Sequence, residues 1–127
     1  MREWLTAFIQ IEHPAFVVYE APILPGQTNK ATVIKLMSLA GLTELVCRDL
    51  QVRCFEVHLQ SVKKFLAGSG RATKPDMVAA ARRFGFDVRN DNEADAIAIW
   101  GHAVSLKFPG RCDIFSLGQL GATGDRR

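Results

Sequence analysis

Apolar residues at three- and four-residue spacing open the chain: Trp4, Leu5, Phe8 and then Ile9 or Ile11 mark one side of an amphipathic helix, which Pro14 stops. The pattern then changes character. Residues 15–20, AFVVYE, form an unbroken apolar run rich in β-branched and aromatic side chains, which predicts a short buried strand ending on the carboxylate of Glu20. Two prolines and a glycine in APILPGQTN predict a loop. From Lys30 to about Asp49, Val33, Ile34, Met37, Ala40 and Leu45 recur with helical period and predict a helix long enough to cover one sheet face. VRCFEV, residues 52–57, predicts a second strand, and SVKKFLAG, residues 61–68, a short helix. GSGRATK is a basic, glycine-bearing loop leading to the helix PDMVAAARRFG, with Pro75 near its start and Gly85 just past its end.

After the polar link FDVRN comes DNEADAIAIW, residues 91–100, which is polar at first and then apolar. Ala-Ile-Ala-Ile alternates like a strand, whereas an acidic start followed by alanines suits a helix N-terminus. In the helical reading Asp95 shares a face with Asn92 and Asp91, three and four residues earlier, and Glu93 points elsewhere. Residues 107–127 show no clear period and carry four glycines, which predicts an irregular tail docked by Phe108, Ile114 and Phe115. Strands alternating with helices imply an α/β layer architecture with a parallel or mixed sheet, and no internal repeat is visible.

A length of 127 residues with 48% hydrophobic side chains is that of one ordinary domain. Sixteen Lys and Arg against thirteen Asp and Glu leave a net charge of +3, which is compatible with a polyanionic partner. Cys47, Cys54 and Cys112 are odd in number and widely spaced, so they predict reduced thiols rather than a disulfide framework or a zinc site. With no apolar run of membrane-spanning length and no signal-peptide pattern, the expected location is the cytoplasm.

Few residue patterns point to chemistry. Neither a Walker A loop nor a dinucleotide fingerprint occurs, His13, His58 and His102 form no metal-ligand pair, and Ser61 and Ser69 lack a nucleophile signature. The basic loop places Lys63, Lys64, Arg71 and Lys74 around two glycines, a surface suited either to solvent or to backbone phosphates. Asp91, Asn92 and Asp95 could present oxygen ligands to a hard divalent cation, or Asp91 or Asn92 could simply cap a helix. Glu20, closing an apolar strand, must reach water, a cation or a hydrogen bond.

Taken together and in order, VVYEAP, SVKKFLAGSGRATK and DNEADAIAIWGHA resemble the RuvC-type Holliday junction resolvases of the RNase H-like superfamily, over roughly residues 2–106. The resemblance implies an RNase H-like α/β fold with a mixed sheet flanked by helices, residues 1–106 forming the nuclease domain and 107–127 the tail. It implies a two-metal Mg²⁺ site, with Mn²⁺ as a possible substitute, in which the ions activate water for in-line attack on a phosphodiester. Glu20 matches the family's strand-borne glutamate, Asp95 the second acid of its C-terminal helix, and Lys63 and Lys74 its two DNA-contacting lysines. Asn92 stands where the family carries an acid or histidine, and Asp91 is a possible substitute one residue earlier. The family's first catalytic aspartate lies on a strand before the first helix, and Met1 falls at that helix, so the resemblance implies an N-terminally shortened sheet.

The implied function is a Mg²⁺-dependent, structure-selective endodeoxyribonuclease of the junction-resolving type, acting as a homodimer on branched DNA in recombination, repair or phage DNA processing. The alternative is a non-catalytic DNA-binding remnant of such a nuclease.

Overall fold

The computed structural model describes residues 1–24, 26 and 29–110. In chain order they form α1 (Arg2–Glu12), β1 (Phe16–Glu20), α2 (Lys30–Asp49), β2 (Arg53–Val57), α3 (Leu59–Ala67), α4 (Lys74–Arg83) and α5 (Asp91–Lys107). The chain divides into two compact units, Met1–Glu56 and the residues from Val57 onward. Every element expected from the sequence is present.

In the first unit α1 ends because His13 turns into the left-handed region at φ 47°, donating its N–H to Ile9 O, before Pro14, which disfavours continuation. Leu5 and Ile9 of α1 are buried with Val46 and Cys47 of α2, and Val17, Leu42, Leu50, Val52 and Cys54 pack around them. Asn29 caps α2 by accepting the Thr32 N–H at 2.9 Å. At the other end, Gln51 adopts φ 56° and the Val52 N–H bonds Cys47 O at 2.8 Å, which reverses the chain tightly into β2. β1 and β2 pair in a small parallel sheet, the connection that a crossover helix such as α2 permits. The residue pattern implies a parallel or mixed sheet and the family resemblance a mixed one; among the described residues the sheet is parallel and has two strands, because the remaining apolar segments carry helical spacing.

In the second unit α3, α4 and α5 pack on one another. Their core is built from Val62, Leu66, Met77, Ala80, Ala81, Val88, Ala94, Ala98 and Ala103, each almost wholly buried. α3 starts two residues before the predicted helix, with His58 extended at its cap, and closes at Gly68 (φ 80°), whose N–H bonds Lys64 O. α4 opens on a reciprocal cap: Thr73 Oγ1 accepts the Asp76 N–H and the Asp76 carboxylate accepts the Thr73 N–H.

α5 settles the ambiguity of DAIAIW in favour of helix, since Ala94, Ala98 and Gly101 lie buried at helical spacing. It runs through Lys107, one residue into the expected tail, and the Phe108 N–H bonds Val104 O at 2.8 Å. Cys112, Ile114 and Phe115 lie outside the described residues; Cys47 and Cys54 are free thiols. Among the described residues no helix is long and apolar enough to cross a membrane.

Candidate functional site

Three helices of the second unit bring four of the expected residues together. Lys63 projects from the middle of α3, Lys74 is the first residue of α4, and Asp91 and Asp95 stand one turn apart on α5. Lys74 Nζ lies 2.9 Å from Asp91 Oδ2. That hydrogen bond, with a further one from backbone, holds the Asp91 carboxyl below the usual carboxylate range and raises the Lys74 ammonium above its ordinary value. Asp95 is half-buried and shifts the other way: burial and then the negative charge of Asp91 push its pKa up, against the opposing pull of Lys63 and Lys74.

The start of α5 explains why these two acids share a face. Asn90 is the cap, its side chain accepting the Glu93 N–H at 3.0 Å, so the capping role open to Asp91 or Asn92 in the sequence falls to the residue before them. Glu93 points away, as its position on the helix requires. Its carboxylate accepts the Arg89 N–H at 2.8 Å and Nε at 2.9 Å, and Arg89 Nη2 lies 2.6 Å from it. These contacts pull the Glu93 carboxyl below its ordinary pKa and fix the entry to the helix. Asp91 is thereby left to Lys74, and Asn92 is exposed.

The other basic residues divide. Lys64 is exposed and lies about 100° around α3 from Lys63. Arg71 donates its backbone N–H to Ser69 Oγ at 3.2 Å and lines a separate groove of about 300 Å³ with Ser69, Asp76 and Arg83. His102 packs on the Phe65 ring with centroids 5.5 Å apart, and burial lowers its pKa.

Glu20 belongs to the first unit. At the tip of β1 it is half-buried and lines a groove of about 390 Å³ with Tyr19, Pro22, Leu36, Ala40 and Thr43. Beside it the Tyr19 hydroxyl donates to Glu44 Oε1 at 2.5 Å. Burial first, and then this bond to a carboxylate, pushes the Tyr19 phenol well above its ordinary pKa. Glu44 carries no sequence signature that would single it out.

Asp91 and Asp95 offer carboxylate oxygens from one helix face, and an ammonium already stands against one of them, so this pair suits one side of a hard-cation site. Among the described residues no three or more His, Cys, Asp and Glu side chains gather in a group that could hold a metal ion. The structure therefore places the lysines and the α5 acids together and leaves the expected ligand set incomplete within this unit.

No family model matches the chain, and no curated protein matches it by sequence. Among solved structures it is similar to the Thermus thermophilus RuvC structure, with a TM-score of 0.62 and 23% identity over 77% of this chain. The match spans 60% of the length of that chain. This likeness shows a RuvC-like fold.

Proposed function

We propose that the chain is the core of a Mg²⁺-dependent, structure-selective endodeoxyribonuclease of the Holliday junction resolvase type, cutting phosphodiester bonds in branched DNA. The observation that carries the reading is the convergence of Lys63, Lys74, Asp91 and Asp95 on one face of a RuvC-like fold. The two ammonium groups supply positive charge for the DNA backbone, which dominates affinity for nucleic acid. In the second unit Asp95 and Asp91 are the residues that would hold Mg²⁺ or Mn²⁺, and Glu20 is the candidate ligand of the first unit. When bound, such ions activate water and stabilise the departing oxygen. In this reading residues 1–106 act as one RNase H-like nuclease domain in the cytoplasm, and two copies form a homodimer whose symmetry suits paired nicks across a two-fold junction.

The test is incubation of the chain with a four-way DNA junction and a linear duplex of the same sequence, with Mg²⁺ or EDTA. Cleavage restricted to the junction and to Mg²⁺, and abolished by Glu20→Gln or Asp95→Asn, supports the reading. A second reading, DNA binding without hydrolysis, is favoured by one observation: no group of three metal-binding side chains forms among the described residues. It predicts salt-sensitive junction binding, weakened by Lys63→Ala or Lys74→Ala, with no Mg²⁺-dependent nicking.

A further inference from the structure

Cys47 and Cys54 are nucleophiles of the first unit that the nuclease reading leaves unused. Cys47, in the last turn of α2, is wholly buried, whereas Cys54 is half-buried on β2. The chain between them folds back on itself: Gln51 takes a left-handed conformation and the Val52 N–H bonds Cys47 O at 2.8 Å. Cys54 follows Val52 by two residues, so along extended backbone both side chains leave on the same side. Both pack on the cluster that contains Val46 and Cys47. The two thiols meet there: burial first, and then a hydrogen bond with the Cys47 thiol, push the Cys54 thiol up to about 12.

We propose that Cys47 and Cys54 are a redox pair that hydrogen peroxide closes to a disulfide, tying the end of α2 to β2. Cys54 is the more accessible thiol and reacts first. After losing its proton its sulfur attacks one peroxide oxygen, the O–O bond breaks, and the departing hydroxide takes up a proton as water, leaving a sulfenic acid. The Cys47 sulfur then attacks the Cys54 sulfur, the S–O bond breaks, and a second water leaves with the Cys47 proton. Two thiols are oxidised to one disulfide, and one peroxide is reduced to two waters. Because Cys54 is held protonated at neutral pH, closure there is slow. The bond joins α2 to the sheet whose other strand carries Glu20, and it does not depend on the nuclease reading.

The experiment treats the full chain with hydrogen peroxide, blocks the remaining thiols with iodoacetamide and maps tryptic peptides by mass spectrometry. Arg48 and Arg53 lie between the two cysteines, so trypsin cuts them apart and only a disulfide keeps their fragments together. The expected product is that joined pair, lighter by two hydrogen atoms than its separate parts and released by dithiothreitol. Cysteines that stay alkylated, end as sulfinic or sulfonic acids, or join Cys112 or a second chain overturn the proposal. Nearness in sequence can also close such a bond in unfolded chain, so urea unfolding supplies a second readout. The oxidised chain is expected to unfold at a higher urea concentration than the reduced one, because the closed loop restricts the unfolded state while native packing is kept. An unchanged or lower midpoint means that native packing had to break, and overturns it. In Cys47→Ala, Cys54 stops at the sulfenic acid and dimedone labels it more than in wild type; equal labelling overturns the order of attack.

Discussion

Arg82 reaches beyond the end of its own helix to the carbonyl oxygen of Val88, donating from Nη2 at 3.0 Å and from Nε at 3.3 Å. The bond ties α4 to the short link that determines where α5 begins, and Val88 itself is buried beneath it. Arg82→Ala removes both donors and is expected to cost about 1.5 kcal/mol, the low end for a hydrogen bond from a charged group, because Arg82 is exposed. Urea unfolding followed by circular dichroism gives the value. Hydrogen exchange should locate the loss of protection at the first turn of α5.

The reciprocal cap at Thr73 and Asp76 holds the turn that carries Lys74. Thr73→Ala should cost about 1 kcal/mol at neutral pH. Its two bonds depress the Asp76 pKa. The Asp76 contribution is therefore present above the ordinary carboxylate value of about 3.9 and is lost as pH falls through the lowered folded value. Denaturation of wild type and Asp76→Ala at neutral pH and again in strong acid should show the two stabilities converging in acid, because the carboxylate that accepts the Thr73 N–H is then protonated. A gap that stays constant with pH would exclude the charged cap.

Tyr19 is the single tyrosine of the chain, which makes its ionisation directly visible in ultraviolet absorbance. Its phenol is held protonated by burial and by the bond to Glu44. The expected titration lies above the ordinary value of about 10, and Glu44→Gln moves it down. The sign follows from linkage: stability from this contact is complete below that ordinary value and is lost as pH rises through the folded one. A wild-type titration at the free-tyrosine value would refute the contact.

The basic residues should separate by position. Lys63→Ala and Lys74→Ala are each expected to lower the slope of log affinity against log salt for branched DNA by about one. Lys64 lies on a different side of α3 and Arg71 lines another groove, so Lys64→Ala and Arg71→Ala should change the slope less. Equal effects at all four positions would mean a diffuse charge surface.

Local signals made the elements legible. Pro14, Pro75 and Gly85 mark ends that the backbone respects within a residue or two, and the period of Val33, Ile34, Met37, Ala40 and Leu45 yields α2 from Lys30 to Asp49. DAIAIW was ambiguous because a helix rich in alanine buries its small residues without a strong apolar stripe. The site was partly legible for the same reason: Asp91 and Asp95 at helical spacing announce a shared face, and the structure bears that out while leaving Asn92 exposed. What escaped were contacts between distant positions. Tyr19 and Glu44 are 25 residues apart, and Lys74 and Asp91 are joined only by the packing of α4 on α5, so neither pair leaves a periodic trace. The cap at Asn90 escaped more narrowly, since three consecutive residues could each have served.

Ala80 and Ala81 of α4 and Ala94 and Ala98 of α5 are entirely buried, so small side chains make up much of the core in which these two helices pack. Small buried side chains let the two helices that carry Lys74 and Asp91 pack closely. Substitution of the acids and lysines rewrites the chemistry without disturbing the frame, whereas one branched side chain at Ala98 would move every charge at once. Descent can therefore revise what this surface recognises one residue at a time, while the spacing at which it recognises anything is inherited whole.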